Sequence, residues 1–404
     1  MSTAAALRRT LRDELIAELE RDGPITFARF MRRALYHPRL GYYAARPAGA
    51  RGDYRTAPMA HPAFGALLAI QLHQMWRELG EGPFRVVEIG AADGLLARDI
   101  ATYAERHLPQ FAARLRYEAC DSHPPPDGQL FNVRPPADLL PGGRGCIISN
   151  ELFDALPTHR FEVVDGAVRE VFIAARGGQL REVLDEPSDP RIGRRLEGTL
   201  ERLPNQYRGE VCLELERCVA QLARLEIDGY AITIDYGRER ADLYAPERSA
   251  GTLRAYRAHT LMSDPLNAPG ECDLTADVDL TALEEGFARH RFQPLGATTQ
   301  ARFLRNLGLA AWEERVGRAA LPQRERLANR AALRSLAELD GMGAFRVHLH
   351  RRGAAPRIAP RGLGGGGQAE ELPAPLLADY PGRAYQQDSW SGFGSYAAQP
   401  RETF

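Results

Sequence analysis

The chain has 404 residues, with 52 basic against 53 acidic side chains and a formal charge of -1, a balance that gives no reason to expect a nucleic-acid partner. Apart from histidine every basic residue is arginine, so lysine nucleophiles, lysine Schiff bases and P-loop lysines are excluded. The five cysteines are scattered and form no C-x-x-C pair, which argues against zinc and against a disulfide framework and fits a reducing compartment.

Leu7, Leu11, Leu15, Ile16 and Leu19 recur at helical spacing up to Gly23-Pro24, and Ile25 to Tyr36 reads as a second amphipathic helix. Asp13, Glu14, Glu18 and Glu20 suit neither a transit nor a signal peptide, and no apolar run approaches the ~18 residues of a membrane span. A cytoplasmic location is the expectation. His37 to Pro62 is rich in Gly, Pro and Tyr, as a functional loop or lid would be, and Ala63 to Leu79 reads as a third helix. Short apolar strands then alternate with helices: Phe84 to Gly90, helix Leu95 to His107, strands Leu115 to Cys120 and Cys146 to Ser149, a helix near Glu214 to Glu226, and strand Ala231 to Ile234. That alternation predicts a mostly parallel sheet covered on both faces. Val163 to Ala174, with Asp165-Gly166 between two apolar runs, reads as an inserted hairpin, and Phe345 to Leu349 as a late strand closing the sheet. From residue 354 to 404 Gly, Pro and polar residues dominate and predict a flexible tail. The expected division is therefore 1–80, N-terminal helices and lid; 81–353, an α/β core with insertions; and 354–404, the tail.

Three strand ends carry chemistry. Glu88-Ile89-Gly90-Ala91-Ala92-Asp93-Gly94 lies between a strand and a helix, where small residues let backbone approach a ligand. It lacks the dinucleotide glycine spacing, and E-x-G-x-x-x-G is instead the usual spacing of a first loop binding S-adenosylmethionine. Asp121-Ser122 ends the next strand, where a carboxylate can accept both ribose hydroxyls of an adenosine. Asn150-Glu151-Leu152-Phe153-Asp154-Ala155-Leu156-Pro157 ends the third buried strand and sets three polar groups at the ligand edge.

These residues resemble the MidA family of Rossmann-like class I methyltransferases, which includes mitochondrial factors for complex I assembly. The similarity continues in Gly41-Tyr42-Tyr43, Gly52-Asp53-Tyr54 with Thr56, Ile234-Asp235-Tyr236-Gly237, His259, Asp273-Leu274-Thr275 and Gly341-Met342-Gly343. It spans roughly Leu7 to Leu349. Ala91 and Ala92 stand where the family's loop usually has proline and glycine, and Met59 where a glutamate is common.

The resemblance implies an α/β fold with N-terminal helices and inserted cap elements, S-adenosylmethionine as cofactor, and arginine on a protein or peptide as methyl acceptor. Residues expected at the cofactor are Glu88, Gly90, Ala91, Gly94, Asp121, Ser122, Asn150, Gly52 and Thr56. A guanidinium keeps its proton and its planar donors match carboxylates, so Glu151 and Asp154, with Asp235 and Asp53 behind them, are the catalytic candidates. Tyr54, Tyr236 and His259 are expected to line the substrate pocket, and no metal is expected. Two other readings stay open: methylation of a small molecule or peptide in a biosynthetic pathway, and a non-catalytic assembly factor that binds S-adenosylmethionine. Oligomeric state is not indicated.

Overall fold

The central sheet is built from β1 (Phe84–Ile89), β2 (Leu115–Cys120), β3 (Val133–Arg134), β4 (Arg144–Asn150), β5 (Asp228–Asp235), β6 (Gln293–Thr299) and β7 (Arg346–Arg352). The computed structural model describes residues 10–45, 56–123, 131–257, 260–364 and 372–380. Strands run in the order β6-β7-β5-β4-β1-β2-β3. β3, β2, β1, β4 and β5 are mutually parallel, and β7 inserts antiparallel to both β5 and β6. The mostly parallel α/β sheet expected from sequence is therefore present, with the late strand placed inside the sheet beside β5.

The N-terminal segment forms α1 (Leu11–Asp22) and α2 (Phe27–Tyr36), and α3 (Ala63–Glu78) and α4 (Leu95–His107) flank β1. Later helices are α5 (Glu214–Ala223), α6 (Leu280–Arg289), α7 (Gln300–Asn306), α8 (Leu309–Arg318) and α9 (Gln323–Ser335). Adjacent strand residues serve opposite faces. Val86 and Ile148 pack into a core with α3, α4 and α7 to α9, whereas Val87 and Ile147 pack against α5 and α6. Burial on both faces is why these strands read as unbroken apolar runs.

Two insertions cap the ligand edge of the sheet. Between β4 and β5 a hairpin, His159–Val164 and Ala167–Arg176, turns at Asp165 and Gly166 with φ of 51° and 78°, the left-handed pair that a two-residue hairpin turn requires. Its long strand also pairs with Gln179–Asp185 and with Ile25–Thr26. The expected second helix therefore starts two residues late, at Phe27, with Thr26 capping it and Ile25 paired to Ile173. After β5, Arg254–Arg257, Thr260–Leu261 and Asp273–Thr275 form a three-stranded sheet. Leu15, Phe30 and Met31 of α1 and α2 share a core with Ile173, Leu266 and Leu274 of the insertions. The boundary drawn at residue 80 therefore cuts through a packing unit: α1 and α2 pack with the cap, whereas α3 shares the core of the sheet with β1.

Within the tail expected to be flexible from residue 354, the described residues 354–364 and 372–380 pack against the fold. Ala355, Ile358, Leu377 and Tyr380 are buried. Tyr103 Oη donates to Pro373 O (3.0 Å) and Trp312 Nε1 to Leu372 O (2.9 Å). Asn329 Oδ1 accepts from Leu377 N (2.9 Å) and from His61 Nε2 (3.1 Å), while His61 Nδ1 accepts from Ala63 N. The rest of the tail lies outside the described residues.

Candidate active site

The carboxyl ends of β1, β2 and β4 converge on a cavity of 540 Å³, within the range of pockets that hold cofactor-sized ligands. After β1 the chain turns tightly. Gly90 N and Ala91 N both donate to Cys120 O, at 2.8 and 3.0 Å, which docks this loop on the end of β2. Gly90, Ala92 and Gly94 have φ of 79°, 51° and 80°. Gly94 precedes α4, and a Cβ there would come within 2.6 Å of Phe131 Cβ. Ala92 holds a left-handed conformation that a glycine would hold without strain.

Asp121 closes the loop from the other side. Its Oδ2 accepts from Ala92 N (3.0 Å) and its Oδ1 from His123 N (2.9 Å). Glu88, the second acid here, is 3% exposed. Burial pushes its carboxyl up to about 7, against the hydrogen bond donated by Tyr117 Oη at 2.9 Å.

The end of β4 supplies the other wall. Glu151 N donates to Ile234 O (2.8 Å), and Glu151 itself sits at φ 52°. Asn150 Nδ2 donates to Glu151 Oε1 (3.0 Å). Burial and the neighbouring Asp154 hold the Glu151 carboxyl well above the usual carboxylate range. Asp154 is raised to about 6, again chiefly by burial; Tyr236 Oη donates to its Oδ2 at 2.5 Å. Asn150 Oδ1 and Asp154 Oδ1 are buried and without hydrogen-bond partners among the described residues. Native proteins rarely leave such oxygens unpaired except where a ligand completes them.

Most of the residues singled out from sequence therefore meet at one place: Glu88, Gly90, Ala91, Asp121, Ser122, Asn150, Thr56, Glu151 and Asp154 all line the cavity. Three do not. Gly94 stands behind the loop as the residue before α4. Asp235 is 1% exposed, and its Oδ2 accepts from Leu152 N (3.1 Å) and Phe153 N (2.8 Å). It shapes the turn that carries Glu151 and Asp154 and does not form a wall of the cavity. Tyr236 likewise touches the site through Asp154. Gly52, Asp53, Tyr54 and His259 lie outside the described residues.

Sequence reasoning missed the cavity wall supplied by the cap. Tyr36 Oη donates to Ala155 O (2.9 Å), and Tyr43 Oη to Asp273 Oδ1 (3.1 Å). Asp273 and Thr275 line the cavity from the inserted sheet. Arg254, paired in register with Thr275, binds Asp277 Oδ1 at 2.9 Å and lies 5.7 Å over the Tyr236 ring. The motifs containing Tyr43 and Asp273 were visible as family resemblance, but no local pattern assigned them to a pocket.

A nucleoside cofactor with a charged sulfur fits this donor set. The small-residue loop lies on one side and Asp121 on the other, with buried acids and the unpaired Asn150 Oδ1 between them. Glu88, the loop 90–92, Asp121, Ser122 and Asn150 are the residues that would hold S-adenosylmethionine.

Sheet order, the reversed β7 and this loop together define a Rossmann-like, S-adenosylmethionine-dependent methyltransferase. The model of a family described as "Putative S-adenosyl-L-methionine-dependent methyltransferase" matches residues 67–126 and 131–298, and the chain belongs to that family, the MidA family. It is 32% identical over 361 residues to the mitochondrial protein arginine methyltransferase NDUFAF7 homolog of Drosophila melanogaster, covering 79% of each chain. With human mitochondrial protein arginine methyltransferase NDUFAF7 it shares 28% over 333 residues, covering 73% of this chain and 72% of the relative. Among solved structures, a superfamily member from Burkholderia thailandensis bound to S-adenosyl-homocysteine superimposes with a TM-score of 0.74 at 27% identity. That match covers 87% of this chain and 94% of the other.

Proposed function

We propose that this methyltransferase N-methylates arginine side chains of a protein or peptide. The observation that carries the reading is the acidic wall at the end of β4: Glu151, half-buried, and Asp154, buried, both lining the cavity, with Asp154 Oδ1 unpaired among the described residues. Bound S-adenosylmethionine supplies an electrophilic methyl group on a sulfonium. Glu151 and Asp154 accept guanidinium N–H groups and fix which nitrogen faces that methyl, a positioning effect that can contribute roughly 7–11 kcal/mol in favourable cases. A guanidinium nitrogen that gains a methyl group must shed a proton, and Asp154, raised to about 6, is a carboxylate able to take it near neutral pH. Tyr236, donating to Asp154, and Asp235, gripping the turn, position the acid.

Similarity to relatives named protein arginine methyltransferases supports the acceptor class. Five free cysteines suit a reducing compartment such as the cytoplasm, although those relatives are mitochondrial. No helix among the described residues is long and apolar enough to cross a membrane.

The test is incubation of the purified protein with isotopically labelled S-adenosylmethionine and an array of peptides. Peptides containing arginine should gain methyl mass on the guanidinium, and the same peptides with arginine replaced by glutamine should not. Label appearing only on non-guanidinium acceptors, or on small molecules, would overturn the reading.

A further inference from the structure

We infer that the cleft between α2 and α5 receives the peptide on either side of the acceptor, and that Arg32 and Arg217 there select a substrate with an acidic residue close to the methylated arginine. This rests on the guanidinium reading above.

The cavity extends past the turn that follows β4. Tyr36 Oη donates to Ala155 O (2.9 Å), which sets the end of α2 beside that turn. Arg32 lies one turn earlier on the same helix face, and both side chains line the cavity. From the other wall, Cys212 Sγ donates to Pro157 O (3.7 Å), two residues before α5 begins. Glu214, Arg217, Cys218 and Gln221 of α5 all line the cavity. Their i, i+3, i+4, i+7 spacing makes one helix face, while Leu215, Val219 and Leu222 turn into the core. That face runs roughly 10 Å along α5, the length of about three residues of extended chain. An acceptor side chain reaching Glu151 and Asp154 would leave this face uncovered, and the residues flanking the acceptor would cover it.

Charge is a second, independent observation, because it changes sign along the cavity. Glu151 and Asp154 make the inner end acidic. Arg32 and Arg217 are the two arginines among the described residues that line the cavity, and both stand in the α2–α5 cleft. They share one carboxylate: Arg32 meets Glu214 Oε1 at 3.0 Å, and Arg217 meets Oε2 at 3.6 Å. Two guanidinium groups against one acid leave a positive charge in excess. The two arginine side chains are 46% and 66% exposed, so both can be reached from solvent. Each carries five donors in a fork that matches a carboxylate. A substrate with a cation at the acceptor and an anion beside it is therefore complementary to both ends. A second basic residue in place of the anion would be repelled. Glu214 competes with the substrate acid for the same donors.

The test is steady-state methylation of peptides with a single arginine, in pairs that carry glutamate or glutamine at one position within three residues of it on either side. At the best position the wild type should favour glutamate about fivefold in kcat/KM, through KM, since each half-exposed ion pair contributes little. About 1 M salt should erase most of that preference. Arg217→Gln and Arg32→Gln should each bring the ratio close to unity. Glu214→Gln, which removes the competing acid, should raise the ratio above the wild-type value. A merely structural ion-pair network would not give opposite signs. Equal kcat/KM for glutamate and glutamine peptides at every position overturns the inference and spares the guanidinium reading. A fall in the ratio with Glu214→Gln, as with the arginine variants, also overturns it alone. Failure to methylate any arginine peptide overturns both.

Discussion

Cofactor binding should depend on pH through Glu88. In the ligand-free protein burial pushes this carboxyl up to about 7, so it is half protonated near neutrality. S-adenosylmethionine carries a sulfonium and an ammonium against one carboxylate, and a cation in the cavity favours the ionised acid. If tight binding needs ionised Glu88, the dissociation constant should rise about tenfold between pH 8 and pH 6, with a fraction of a proton released at neutrality. Calorimetric titration in buffers of different ionisation enthalpy reads both quantities. Glu88→Gln removes the titrating group and should bind more weakly at pH 8, with a flat profile. That variant separates Glu88 from Asp154, which titrates nearby at about 6. An affinity independent of pH in the wild type, or a slope that survives in Glu88→Gln, would refute the reasoning. Stability follows the same linkage. The folded pKa of Glu88 lies above the unfolded value of 4.5, so the contribution is present below about 4.5 and lost as pH rises through 7, a change of about 3 kcal/mol. Saturating cofactor should oppose that loss.

Three further outcomes are expected. Asp154→Asn should lower kcat at least a hundredfold with cofactor affinity held, measured by methyl transfer to an arginine peptide, because it removes both the proton acceptor and a guanidinium contact; normal turnover would remove Asp154 from the mechanism. Ala92→Gly should stabilise the protein by about 1 kcal/mol in urea unfolding, since φ of 51° strains alanine more than the added chain freedom of glycine costs; a loss of stability would show that the strain is not real. Ending the chain at residue 371 should cost several kcal/mol and lower Tm, because Leu377 and Tyr380 are 8% and 3% exposed and each contributes roughly 1.5–3 kcal/mol when buried; an unchanged Tm would mean the segment adds nothing.

The fold was legible where signals were local. The helix from Leu95 to His107 was read to the residue because Gly94 precedes it and Pro109 follows. The strand ending at Asn150 stood out because burial on both faces leaves the apolar run Cys146 to Ile148. Ile25-Thr26 was taken into a helix because its partners, Ile173 and Phe172, lie far along the chain. Residues 372–380 read as tail because composition shows Pro and Ala, whereas what holds them is Trp312, Tyr103 and Asn329. In the site, Asp121, Glu151 and Asp154 were visible because each ends a recognisable strand. Tyr36 arrives from the N-terminal helix α2, and Asp273 and Arg254 from the insertion after β5, and no spacing in the sequence links them to the β4 turn. Asp235 was read as a catalytic candidate, and its buried place beneath the turn, holding Leu152 N and Phe153 N, appears only in three dimensions.

Asn329 has a consequence for how the protein is made. One side-chain amide oxygen joins His61, just before α3, to Leu377, close to the last described residues. The short helix Ala57–Ala60 that His61 follows contributes Pro58 and Met59 to the cavity. On the ribosome the amino-terminal side of the catalytic pocket therefore waits for nearly the whole polypeptide to emerge. A nascent chain released before Asn329 lacks the clamp for that wall, so premature truncation should yield a protein that can assemble much of its sheet yet cannot mature its pocket.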